Sequence, residues 1–126
     1  MTVRPSLFGM GFLTTHVLDT THGSPAGGLH IELFRLSVKG RELITDAVTN
    51  DDGRCDKHLL GGENFIKGIY QLDFHAGDYF RAINFGLEDP AFLDVVPVRF
   101  GIARSDDHYH VPLLISPYSY STYRGS

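Results

Sequence analysis

Short runs of β-forming residues, each closed by a cluster of turn formers, recur along this chain and leave little room for any other regular structure. Phe12 to Asp19 is rich in Phe, Leu, Val and Thr and ends in Asp19-Thr20-Thr21-His22-Gly23-Ser24-Pro25, so it reads as a strand followed by a loop. Leu29 to Val38 alternates, with Leu29, Ile31 and Leu33 on one face and His30, Glu32, Phe34 and Leu36 on the other. A third strand spans Leu43 to Val48, and the turn signal Asn50-Asp51-Asp52-Gly53 leads into a brief strand from Arg54 to Leu59. Further strands are expected over Ile66 to His75, Val95 to Ala103, Tyr109 to Ile115 and Tyr118 to Tyr123, with Pro112 confining its strand to an edge or a bulge. Only Tyr79 to Phe85 carries helical spacing, with Asp78 as N-cap, Gly86 as C-cap and Pro90 forbidding continuation. Such an element set predicts an all-β protein, an antiparallel β-sandwich with one short α-helix.

A chain of 126 residues has room for one core. Residues 1–10 show no clear period and read as a flexible N-terminal leader, with the folded domain over 11–126. The net charge is −4, and no stripe of Lys or Arg could neutralise a run of phosphates, which argues against nucleic acid as a partner. No apolar run approaches the roughly 20 residues that span a bilayer, and no secretory signal pattern opens the chain, so a cytoplasmic protein without a membrane partner is expected. The lone Cys55 cannot form an internal disulfide or a multi-cysteine metal cage. Serine hydrolase elbows, phosphate-binding loops and dinucleotide fingerprints are all missing.

The chemistry-bearing residues are few. His108 and His110 stand two apart in a strand and therefore share a face, which fits a catalytic or metal-binding pair as well as two ordinary polar residues. No HExxH pattern or cysteine pair nominates a third ligand, so no metal is expected. His16 lies in an otherwise apolar strand, where an imidazole needs hydrogen-bond partners to offset its burial. Arg54 follows a turn glycine, and its fixed fork of donors suits a planar anion or an imide-like substrate, although a surface ion pair would also explain it. Tyr118, Tyr120 and Tyr123 carry too much apolar area for a frayed end, so the tail is expected to dock.

Five blocks, Leu13-Thr14-Thr15-His16-Val17-Leu18-Asp19, Asn50-Asp51-Asp52-Gly53-Arg54, Gly77-Asp78-Tyr79-Phe80, His108-Tyr109-His110-Val111-Pro112-Leu113-Leu114 and Tyr118 to Ser126, resemble in order and spacing the 5-hydroxyisourate hydrolases of the transthyretin-related family. The most specific are the HYHVPLL block and the terminal Tyr123-Arg124-Gly125-Ser126. The resemblance implies a transthyretin-like sandwich of two four-stranded sheets, assembled as a homotetramer whose active sites lie in a channel between dimers. It further implies hydrolytic ring opening of 5-hydroxyisourate, a step of urate degradation, without a cofactor. The implied catalytic residues are His16, Arg54 and His110, and the implied substrate-binding residues are Tyr123 and Ser126. Transthyretin-like carriers, the rival within this fold, lack that His, Arg and His set and the Tyr-Arg-Gly-Ser ending.

Overall fold

A computed structural model describes residues 10–125. Most of the expected leader and the terminal Ser126 lie outside the described residues.

Strand β1 (Phe12–Asp19) alternates as its sequence demands: Leu13, Thr15, Val17 and Asp19 are buried, while Phe12, Thr14, His16 and Leu18 lie on the other, half-buried face. The short β2 (Ser24–Pro25) folds back along β1. β3 (His30–Ser37) and β4 (Gly40–Val48) form a hairpin with a register shift between Leu33 and Phe34; Leu33 enters the core, whereas Phe34 lies outside it with the Arg41 guanidinium 4.1 Å from its ring centre. The two-residue β5 (Leu60–Gly61) pairs with the start of β1 and is followed by a single 3-10 turn at Gly62–Asn64. β6 (Gly68–His75) runs directly into the helix α1 (Ala76–Ala82), and β7 (Val95–Ile102), β8 (His108–Ile115) and β9 (Tyr120–Thr122) complete the chain.

The strands form the expected sandwich. One sheet has the order β2-β1-β8-β9 with β5 on the side of β1, and the other has the order β4-β3-β6-β7. All pairings are antiparallel except β1 with β8, which run parallel from Phe12↔His108 to Asp19↔Ile115. Between the sheets, Leu13, Val17 and Leu113 meet Ile31, Leu33, Leu72 and Phe74, all without solvent contact. Truncating one such leucine to alanine would cost about 2–5 kcal/mol.

Three local expectations are corrected. No strand spans Arg54 to Leu59; Arg54 makes only an isolated bridge to His16. The Asn50 side-chain oxygen accepts from the amides of Asp52 at 2.9 Å and Arg54 at 3.1 Å, so the turn claims the N–H that a ladder would have used. The helix starts earlier than Tyr79, because the Gly77 amide donates to the Asp94 carbonyl at 2.8 Å and places Asp78 inside the first turn, not at the N-cap. A Cβ on Gly77 would run into Asp94, so glycine alone permits this approach. Pro112 sits in β8, which is flanked on both sides by β1 and β9. The carbonyls of His110 and Pro112 both accept from the tail side, from Gly125 N and Thr122 Oγ1, and the β8–β9 ladder stops at Leu113↔Thr122. The N–H that proline lacks therefore falls where the ladder has already ended.

Candidate active site

The parallel register of β1 and β8 aligns Phe12 with His108, Thr14 with His110 and His16 with Pro112. Because side chains alternate, Phe12, Thr14 and His16 share the outer face of this sheet with His108 and His110, away from the core. Two histidines two apart on β8 are thus set beside one threonine on β1. Thr14 Oγ1 lies 2.7 Å from His108 Nε2 and 2.8 Å from His110 Nδ1.

Arg54 reaches the same face from the 50–54 turn. Gly53 has φ 75°, a conformation that favours glycine, and its carbonyl accepts from the Val17 amide at 2.8 Å. That contact lays the turn along β1, pairing Arg54 with His16. His16 Nε2 donates to the Asp52 carbonyl at 2.8 Å. A carbonyl can only accept, so the proton of neutral His16 sits on Nε2 and Nδ1 is left with a lone pair.

An open cleft of about 420 Å³ is lined by Thr14, Arg54, Cys55, Lys57, His108 and His110. This volume is within the range of small-molecule sites. Among the described residues no carboxylate lines it, whereas Arg54 and Lys57 bring cationic groups, so it suits a polar or anionic ligand. The Arg54 side chain makes no ion pair among the described residues. Burial, followed by the charges of His108, Arg54 and His16, holds His110 below the usual histidine range. Burial, followed by Asp56, holds the Cys55 thiol above its ordinary value, so it is not a thiolate nucleophile at neutral pH.

The tail docks through its backbone. Gly125 N donates to the His110 carbonyl at 2.8 Å, forming an isolated bridge beyond β9. The Arg124 guanidinium lies 4.0 Å from the centre of the Tyr109 ring, and its Nη2 donates to the His108 carbonyl at 3.3 Å.

The expected residues therefore divide. Arg54 and His110 meet in the cleft, and His16 adjoins it through its bridge to Arg54. Tyr123 is 61% exposed and borders a separate cleft with Val98 and Thr122. Ser126 lies outside the described residues. Among the described residues, no three His, Cys, Asp or Glu side chains are grouped to hold a metal ion. Sequence reasoning passed over Thr14 and Lys57. The signal for Thr14 was its place two residues before His16, which puts both on one strand face.

Comparison with known proteins gives consistent matches. Residues 13–125 match the model of the HIUase/Transthyretin family. The 5-hydroxyisourate hydrolase of Pseudomonas aeruginosa is 64% identical over 117 residues, covering 93% of each chain. Among solved structures, (S)-allantoin synthase superposes with a TM-score of 0.88 at 50% identity, over 94% of this chain but only 44% of that larger one. Klebsiella pneumoniae 5-hydroxyisourate hydrolase superposes with a TM-score of 0.78 at 32% identity, over 93% of this chain and 100% of that one.

Proposed function

Given that this chain belongs to the HIUase/Transthyretin family, we propose that it is a 5-hydroxyisourate hydrolase, which opens the substrate's six-membered ring to 2-oxo-4-hydroxy-4-carboxy-5-ureidoimidazoline during urate degradation. The observation that carries this reading is the convergence of Arg54, His108 and His110 on one cleft, with His16 bridged to Arg54 beside it.

The reaction adds water across a cyclic amide C–N bond. It needs a water made nucleophilic, a place for the charge that develops on the carbonyl oxygen, and a proton for the leaving nitrogen. His16, with Nε2 committed to the Asp52 carbonyl, offers Nδ1 as the base that takes a proton from water. Arg54 donates charge-assisted hydrogen bonds to the oxygen of the attacked carbonyl, and the cationic cleft then suits the carboxylate of the product. His110 is neutral near pH 7 because its pKa is depressed, and its Nε2 has no partner among the described residues. It passes the Nε2 proton to the leaving nitrogen while Nδ1 takes up a proton from its hydrogen-bond partner, so that no imidazolate forms. Each such proton transfer contributes on the order of a hundredfold or more.

Tyr123 and Ser126 complete the substrate contacts in the assembled protein, a homotetramer in which the outer face of the β1/β8 sheet lines a channel between dimers. The cleft's position on that open face, and the bridging of Gly125 to His110, support this arrangement. The protein acts in the cytoplasm without a cofactor. Decay of 5-hydroxyisourate followed by ultraviolet absorbance tests the function, and the decay rate should rise in proportion to added protein.

A further inference from the structure

Among the described residues, Thr14 is the one side chain hydrogen-bonded to both cleft histidines, 2.7 Å from His108 Nε2 and 2.8 Å from His110 Nδ1. Its hydroxyl has a single proton and so cannot donate to both nitrogens. When it donates to one, it can only accept from the other, and the tautomers of the two rings are tied together. We infer that Thr14 is a positioning residue that links His108 to His110 as a proton relay, with His108 as the reservoir for the proton that His110 delivers. This inference rests on the hydrolase reading and deepens it.

The step balances as follows. When His108 carries a proton on both nitrogens, its Nε2 donates to Thr14 Oγ1, and the hydroxyl donates to Nδ1 of neutral His110, whose own proton is on Nε2. As the C–N bond breaks, that Nε2 proton passes to the leaving nitrogen. The hydroxyl proton moves to Nδ1, and the Nε2 proton of His108 refills the hydroxyl. His110 and His108 both end neutral, Thr14 is unchanged, and the nitrogen has gained one proton without passing through an imidazolate. His108 recovers its proton from solvent, to which its ring is half open, in exchange for the proton that the attacking water gave up at the base.

The surroundings hold the His108 ring in place beside the hydroxyl. His108 is stacked on Phe12 with ring centroids 4.2 Å apart, which fixes the plane from which Nε2 meets the hydroxyl. Its carbonyl is held by Arg124, which also pairs with Asp107 at 3.5 Å. The other titratable groups around the pair are His16 on β1, Arg54, Cys55 and Lys57 on the loop, and His58, stacked on Phe12 at 4.0 Å; among the described residues no carboxylate lines the cleft.

The test compares Thr14→Val, which keeps the shape and removes the hydroxyl, with Thr14→Ser, which keeps the hydroxyl. The account predicts that Thr14→Val lowers kcat by about ten- to a hundredfold while KM changes by less than about twofold. Thr14→Ser should restore most of the rate, and the solvent deuterium isotope effect on kcat should differ between wild type and Thr14→Val. Nitrogen-15 spectra of the histidine rings give a second readout: the His108 and His110 resonances should both move in Thr14→Val and return in Thr14→Ser. An active wild-type protein with an equally active Thr14→Val variant, or unchanged ring resonances in that variant, would overturn the relay. A folded wild-type protein that leaves 5-hydroxyisourate at its spontaneous rate of decay would instead remove the hydrolase reading, so the two failures are told apart.

Discussion

The Gly125 amide donates to the carbonyl of His110 at 2.8 Å, which stitches the chain's tail to the strand that carries the cleft histidines. No side chain fits at Gly125: a Cβ there would stand 2.6 Å from His110 Cδ2. Tail and histidine are thus one packing unit, and the tail's position sets the ring's.

Replacing Gly125 with alanine should push the His110 imidazole off its hydrogen bond to Thr14. A displacement of even about 1 Å can cost a hundredfold in rate, so kcat/KM of Gly125→Ala should fall by at least about tenfold. The sandwich core is untouched, and thermal unfolding should stay close to wild type. Steady-state kinetics beside a melting curve check both.

Arg54 has an exposed side chain without an ion pair among the described residues, so its replacement should barely alter stability, by less than about 0.5 kcal/mol. Its effect on catalysis should be large. Arg54→Ala should lose on the order of a hundredfold in kcat/KM, and Arg54→Lys should recover little, because an ammonium lacks the planar fork of donors. Equal activity of Arg54→Lys and wild type would contradict the proposed oxyanion contact.

Burial, followed by the charges of His108, Arg54 and His16, depresses the His110 pKa below 6.5. The contribution of His110 to the acidic limb of the pH–rate profile should therefore fall below pH 6.5. The sign for stability follows by linkage: the unfolded chain binds a proton at this site more readily than the folded one, so stability rises with pH between the folded value and 6.5. His110 should contribute nothing to the pH dependence above that window. Ring proton shifts measured against pH locate the midpoint directly.

The buried Asp19 carboxylate accepts from the Tyr79 hydroxyl at 2.8 Å and from His22 Nδ1 at 2.6 Å. Burial alone would raise its pKa, but the hydrogen bonds from His22 and Tyr79 outweigh it and hold the carboxyl below 3.8. This contribution to stability is present above that pH and is lost as pH falls through the folded value. Tyr79→Phe leaves the carboxylate short of a partner and should destabilise the protein by about 1–3 kcal/mol in urea unfolding, with kcat of the folded protein unchanged.

The sandwich was legible because its strands obey simple alternation, as in β1, where each inward residue is buried and each outward one is not. What sequence did not reveal was set by contacts between distant segments. The helix start depends on Gly77 meeting Asp94, and the missing strand after Gly53 depends on Asn50 capturing the Arg54 amide. His110 and Arg54 were candidates by residue type, each with an ordinary alternative, and only the resemblance to the 5-hydroxyisourate hydrolases marked them as catalytic; the structure brings the two to one cleft. Thr14 could not be recognised in the same way. Its role depends on the parallel pairing of β1 with β8, which joins residues 96 positions apart, and no local pattern specifies that register.

The most direct test of the account generates 5-hydroxyisourate from urate with urate oxidase and follows its ultraviolet absorbance with no protein, with the wild type and with His110→Asn. The account predicts decay that accelerates in proportion to wild-type protein and falls near the spontaneous rate with the folded His110→Asn variant. Spontaneous decay in the presence of folded wild-type protein, or full activity in His110→Asn, would contradict it.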